Sequence, residues 1–166
     1  MRLKNTSLEK NSNEDQELNY LQNRVLNYLK FRPRTEKETV LFLKKIIKKK
    51  NLPATFLEKI IHQLKEWGLI NDKNFVDWFV SSRKKLHQKG KQLIIYELKQ
   101  KGIDQKLIDN YFSQEEFNEE KLALQLIKKY SHRWQNLTVK KKKEKIIRFL
   151  TSRGFSFETI RKIIKN

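Results

Sequence analysis

The 166-residue sequence predicts an all-α protein: three tandem three-helix repeats stacked into an elongated, curved array. Three observations carry that expectation. Four glycines and two prolines leave few places for strand turns. Apolar residues recur at three- and four-residue spacing, the period of an amphipathic helix. Residues 91–112, KQLIIYELKQKGIDQKLIDNYF, align without gaps on residues 143–164, KEKIIRFLTSRGFSFETIRKII, so one unit occurs at least twice.

Taken in order, residues 1–17 are polar and lack periodicity, which predicts a disordered or frayed tail. Helical patterning starts near Asn19 and stops at Pro33, with Tyr20, Leu21, Val25, Tyr28 and Leu29 as the buried stripe. Thr35 is the expected N-cap of a second helix carrying Leu41, Leu43, Ile46 and Ile47. Pro53 marks the next start, and Phe56, Leu57, Ile60, Ile61 and Leu64 form its stripe. Gly68 closes that helix in a left-handed cap.

Asp72 is expected to cap a helix over 72–88 whose Phe75, Trp78, Phe79, Ser82 and Leu86 line one face. In the clearest repeat, Ile94, Ile95 and Leu98 make a helix face, Gly102 ends the helix and Ile103 re-enters the core. Asp104 caps the short helix bearing Leu107, Ile108, Tyr111 and Phe112. Gly154, Phe155, Ser156, Ile160, Ile163 and Ile164 repeat those roles. Residues 39–64 read as an earlier copy, with Leu52 as the re-entry residue and about four extra residues within Ile46–Lys50. A helix over 119–134, striped by Leu122, Ala123, Leu126, Ile127, Tyr130 and Trp134, opens the last unit. The predicted divisions are thus the tail at 1–17 and repeats at 18–70, 71–113 and 114–166.

Lys and Arg number 38 against 19 Asp and Glu, a net charge of +19. Charge of that size points to polyanionic partners, because each cation near a phosphate releases a condensed counterion. The charge is clustered. Residues 140–166 hold ten Lys or Arg against two Glu, a balance of +8, whereas residues 104–120 hold six Asp or Glu against Lys106, a balance of −5. The acidic stretch reads as a solvated linker. Arg83, Lys84, Lys85, Lys89 and Lys91 form a second basic run, which the helix macrodipole alone could explain. The candidate polyanion-binding residues are therefore Arg83, Lys84, Lys85, Lys89, Lys91, Lys140, Lys141, Lys143, Lys145, Arg148 and Arg153. Trp134 and Tyr130 beside the second cluster have two readings, base stacking or core, and their helical spacing favours the core.

Catalysis finds no foothold. There is no phosphate-binding glycine loop, no HExxH and no nucleophile elbow. The absence of cysteine excludes disulfides and thiolate metal sites, and His62, His87 and His132 are too far apart for a short-spaced ligand motif. No cofactor is expected. No apolar run reaches the roughly 20 residues needed to span a bilayer, and the N-terminus lacks a signal-peptide core. A cytoplasmic, monomeric, non-enzymatic protein is expected.

Together these residues resemble the RecX family, bacterial regulators of the recombinase RecA. The similarity runs from about residue 20 to 166. Gly68-Leu69-Ile70-Asn71-Asp72 looks like the family's GLL-D-D junction, and Phe75, Trp78, Phe79, Val80 and Arg83 its F..WFV..R helix. Gly90, Ile94, Glu97, Leu98, Lys101, Gly102 and Ile103 match its G…I..EL..KG(I/V) stretch. Arg34-Thr35-Glu36 with Glu38 resembles its RSE.E motif, and Arg153-Gly154-Phe155 its RGF. The sequence departs at Gln88, where the family often has the first glycine of Gly-x-Gly.

The resemblance implies tandem three-helix repeats lying along the helical groove of a RecA–single-stranded DNA filament. It implies inhibition of strand exchange, ATP turnover and coprotease activity in DNA repair and the SOS response. The implied partners are the RecA filament and single-stranded DNA, with double-stranded DNA a further candidate. The residues alone also admit a stand-alone basic DNA-binding module, or an adaptor for an acidic protein.

Overall fold

Glycine, asparagine and proline punctuate the apolar stripes, and in the computed structural model the chain turns at those punctuation marks. The structure describes residues 5–114 and 116–165, apart from the side chains of residues 5–12 and 87. Among the described residues there are nine α-helices and no strand. They are α1 (Asn5–Lys30), α2 (Glu36–Lys50), α3 (Thr55–Glu66), α4 (Asp72–Ser82), α5 (Lys91–Gln100), α6 (Gln105–Gln114), α7 (Glu119–Tyr130), α8 (Val139–Ser152) and α9 (Phe157–Lys165). A π-helical turn, Arg83–His87, follows α4, and a 3-10 turn, Ser131–Trp134, follows α7. The helices form three successive triplets. By compactness the chain divides into two units, Met1–Phe75 and Val76–Asn166, the second holding the last two triplets.

In the first triplet, Leu21 and Val25 of α1 pack with Leu43 and Ile47 of α2 and Phe56, Ile60, Ile61 and Leu64 of α3. Thr35 caps α2 as expected, in a full capping box: its side chain accepts from the Glu38 amide while Glu38 accepts from the Thr35 amide. Arg32 grips both oxygens of Glu38 at 2.8 and 3.1 Å, tying the α1–α2 connection to the cap. Two expected core residues lie outside: Tyr20 is 40% and Leu41 58% exposed. Tyr20 is one position off the fully buried Leu21, and Leu41 lies two positions from both Thr39 and Leu43, on the far side of α2. The polar segment expected to be a tail is helical from Asn5, and residues 1–4 lie outside the described residues. No glycine or proline interrupts it, and helix-tolerant Leu, Glu, Lys and Gln let α1 extend outward from its packed half.

The expected helix over 72–88 is α4 followed by the π-helical turn. The turn's wider winding breaks the α period, so Leu86 is 74% exposed, and Trp78 lies at the edge of the stripe at 36%. Val76 and Val80 join Phe75 and Phe79 in the buried set. Asp72 is not the cap of α4: Asn71 Oδ1 accepts the Asn74 amide, and Asp72 is the first helical residue.

One bond recurs in all three triplets and fixes their common register. The middle helix ends in a left-handed residue, Asn51 (φ 52°), Gly102 (φ 84°) or Gly154 (φ 76°). The next amide then reaches back: Leu52 to Ile47 O, Ile103 to Leu98 O, and Phe155 to Leu150 O, at 3.0–3.2 Å. This is the six-to-one bond of a Schellman motif. Counted from that residue, Leu43, Ile94 and Ile146 are equivalent and buried; in the following helix Ile108 and Ile160 are equivalent and buried, and their counterpart Leu57 is half-buried. The first copy therefore contains no insertion within Ile46–Lys50. Asn51 stands where the other copies have glycine, and the extra residues lie at the start of α2. The helix α8 is extended in the same way relative to α5.

Candidate nucleic-acid interface

The two basic clusters differ in kind. In the second triplet, Arg83 Nε donates to Glu97 Oε2 at 2.7 Å, and Lys89 pairs with Glu97 Oε1. The Arg83 guanidinium also lies 4.2 Å from the centre of the Phe79 ring. Burial alone would raise the Glu97 carboxyl, but the hydrogen bonds and charges of Lys89 and Arg83 outweigh it, leaving the pKa below its ordinary value. Arg83 and Lys89 thus hold the turn between α4 and α5. Lys84 lies over Phe117 and Lys91 over Phe112, at 5.3 and 4.9 Å. Of this run, Lys85 is exposed and the other four are half-buried.

In the third triplet the cations face solvent. Lys140, Lys141, Lys142, Lys143, Lys145 and Arg148 are all exposed on α8. At about 100° per residue, Lys141, Lys145 and Arg148 share one face of α8, spaced i, i+4 and i+7; Lys143 lies on the opposite side and Lys142 about a quarter turn round. Lys143 Nζ donates to Ile164 O at 2.9 Å, holding the end of α9. No carboxylate pairs with Lys141, Lys145 or Arg148 among the described residues.

Thr138 caps α8, so Lys140–Lys143 crowd the first turns, the positive end of the macrodipole, and no acidic residue lies in the first turn. That placement opposes the helix field, which favours anions there and costs a few tenths to about 1 kcal/mol per misplaced charge. In α2 the lysines Lys48, Lys49 and Lys50 lie in the last turn, where the same field favours them. The macrodipole explains the lysines of α2 but not those of α8. An anionic ligand would relieve the mismatch. The signal was present in the sequence, as a threonine two residues before the lysine run.

Trp134 is 6% exposed and meets Phe149 edge-on at 5.3 Å, so it is a core residue. Tyr130 meets the same ring at 5.3 Å. Arg153 lies 4.8 Å from the Phe149 ring centre and 5.6 Å from that of Tyr130, half-buried and serving as packing.

Sequence reasoning missed the carboxylate that joins the second and third triplets, Glu119, which it placed in a solvated linker. Glu119 Oε1 accepts the Lys91 amide at 2.9 Å, at the start of α5. Its Oε2 accepts from the Ser156 amide, Ser156 Oγ and Thr159 Oγ1, at the start of α9. Beside it the backbones of Gly90 and Gly154 nearly touch: the Gly90 amide donates to Arg153 O at 2.9 Å, and a Cβ on Gly90 would lie 2.3 Å from Gly154 O. Alternation of small residues at 90 and 154 was visible in the sequence, but only the fold brings them together.

Among the described residues no group of three His, Asp or Glu could hold a metal ion, and no helix is long and apolar enough to cross a membrane. Residues 71–111 match the profile of the second three-helix domain of RecX, and residues 118–164 that of the third. Regulatory protein RecX of Streptococcus agalactiae serotype V is 32% identical over 90% of this chain and 56% of its own length. Its counterpart in Bacillus subtilis strain 168 is 31% identical, over 83% and 51%. The chain thus spans about half the length of these relatives. The crystal structure of RecX from Lactobacillus salivarius superposes with a TM-score of 0.76 at 27% identity, covering 91% of this chain and 96% of that one.

Proposed function

This chain belongs to the RecX family, and from that premise we propose that it binds RecA–single-stranded DNA filaments along their helical groove and restrains them. Restraint here means inhibition of strand exchange, ATP turnover and coprotease activity, in DNA repair and the SOS response. The chain acts as a monomer. The observation that supports this reading is the exposed stripe of Lys141, Lys145 and Arg148, which starts in the first turn of α8 and runs along one face of the helix. Its cations lack carboxylate partners among the described residues and are spaced along one helix face, as needed to meet successive phosphates.

In this reading Arg83 and Lys89, paired with Glu97, serve the scaffold, and Lys85 and the α8 stripe make the phosphate contacts. Lys140 lies between the two faces of α8 and adds to the local field. The test compares binding of wild type and the triple variant Lys141→Glu, Lys145→Glu, Arg148→Glu to preassembled filaments and to naked single-stranded DNA. The variant should lose binding by at least about tenfold and lower the salt slope by about 2, since each lost phosphate contact removes about 0.7. Unchanged binding would remove the stripe from the interface. Equal affinity for naked DNA, without dependence on RecA, would favour a stand-alone DNA-binding module.

A further inference from the structure

The third triplet carries an apolar groove that its own helices do not fill. Ile127 of α7, Ile146 of α8 and Ile163 and Ile164 of α9 line a cavity of about 480 Å³ that is open on one side. Leu124 and Val139 stand at its edge, 49% and 74% exposed. Lys142 and Lys143 form its rim. Val139, Lys143 and Ile146 face away from the Lys141, Lys145, Arg148 stripe and Lys142 lies about a quarter turn from it, so the groove and the stripe occupy different sides of one helix.

Comparison between repeats shows that this face is left more open in the third triplet than in the first. Counted from the left-handed residue, Ile163 and Ile164 are equivalent to Ile60 and Ile61 of the first triplet. Ile60 and Ile61 are 0% and 9% exposed, in a cluster that includes Leu21 and Val25, an i, i+4 pair on α1. Ile163 and Ile164 are only half-buried. In the first triplet that face is closed by its own first helix, α1; the corresponding α7 of the third triplet contributes Ala123 and Leu126 to the core and still leaves Ile163 and Ile164 half-buried. A groove of this volume with convergent basic groups at its rim is the geometry of helix-in-groove recognition.

We propose that the α7–α8–α9 groove docks an acidic amphipathic helix of a partner protein, its apolar stripe on the isoleucine floor and its Asp or Glu residues against Lys142 and Lys143. Charge complementarity selects this occupant. A second copy of this chain, at +19, would bring lysines against lysines. A free acyl chain would gain little from a groove that leaves one side in water. The inference does not rest on the phosphate-binding reading, because none of its residues belongs to the stripe.

The experiment selects helix-constrained random peptides on the full chain, with counter-selection on the double variant Leu124→Glu, Val139→Glu. Both positions are exposed, so the double variant should keep wild-type helicity and melting temperature. The proposal expects enriched peptides with apolar residues at i, i+3, i+4 and i+7 flanked by at least two acidic residues. Their affinity should fall by at least about tenfold on the double variant, and Lys142→Glu should shift the flanking preference from acidic to basic. Filament and DNA binding should be unchanged in the double variant. Three outcomes would overturn the proposal. They are no enrichment over the double variant; enrichment without acidic bias, or with displacement by decanoate; and a wild-type dimer in sedimentation that the double variant abolishes.

Discussion

Asp72 and Glu119 occupy the same place in successive repeats and make the same bond. Each follows an asparagine whose side chain caps the helix, Asn71 and Asn118, and each is that helix's first residue. Each also accepts the first amide of the preceding triplet's middle helix: Glu36 N to Asp72 Oδ1 at 3.0 Å, and Lys91 N to Glu119 Oε1 at 2.9 Å. One carboxylate thus lies at the positive ends of two helices, which favours the anion twice. Within the second unit, Glu119 ties the last two triplets together by this charged cap.

Glu119 should matter more than Asp72. Its second oxygen gathers three donors from α9, and an amide nitrogen in place of either oxygen would face a donor. Glu119→Gln should therefore cost about 2–3 kcal/mol, as several donors lose charged acceptors. Asp72→Asn keeps an acceptor for one amide and should cost about 1 kcal/mol or less. Chemical denaturation of the two variants measures both values, and equal losses would contradict the ranking.

The glycine crossing predicts a graded series. Gly154→Ala combines a positive φ with a Cβ 2.2 Å from Leu93 Cβ, and Gly90→Ala would meet the Gly154 carbonyl carbon and oxygen. Each should cost at least about 3 kcal/mol, the scale of severe overpacking with backbone strain. Gly68 also has a positive φ, but nothing lies within 4 Å of its Cβ, so Gly68→Ala should cost only about 1 kcal/mol. Melting temperatures of the three variants check the order.

Gln88 holds φ 46°, ψ 54°, the left-handed conformation that glycine adopts without a Cβ penalty. Gln88→Gly removes about 1–2 kcal/mol of left-handed strain and restores about 0.5–1 kcal/mol of chain entropy to the unfolded state. A net stabilisation of about 0.5–1 kcal/mol is expected by denaturant titration. A loss of stability would show that the Gln88 side chain supports the turn.

The Glu97 hub predicts a stability change in acid. Burial raises the Glu97 carboxyl and the Lys89 and Arg83 interactions lower it further than burial raises it, so its folded pKa lies below the unfolded value of about 4.3. Its contribution is complete above that value and is lost as pH falls through the folded pKa. Asp72 has the opposite sign. Burial raises it, with the Glu36 charge adding and the Glu36 amide opposing, so its ionisation costs stability that is regained as pH falls. Glu97→Gln should flatten the acid limb of stability against pH, and Asp72→Asn should steepen it.

Much of the fold was legible because punctuation and stripe agree: Thr35, Gly68, Gly102, Asp104 and Gly154 each perform the expected task. The misses have local causes. Asn51 hides the glycine position, so the first copy read as carrying an insertion. The π-helical turn at Arg83–His87 throws Leu86 outward, which no α-helical period can foresee. The candidate interface was legible as charge but not as availability. Glu97 is far from neither Arg83 nor Lys89 in sequence, yet only tertiary structure aims it at both. Lys142 was left out of the candidate set because adjacent lysines look alike until α8 divides them between two faces.

The central claim is that this chain restrains RecA filaments. The most direct test is single-stranded-DNA-dependent ATP hydrolysis by RecA of the same organism, with this protein titrated in substoichiometrically. Loss of hydrolysis at well below one copy per RecA, abolished by Lys141→Glu, Lys145→Glu, Arg148→Glu, is the predicted result. Undiminished hydrolysis at saturating protein, alongside strong binding to naked DNA, would contradict it.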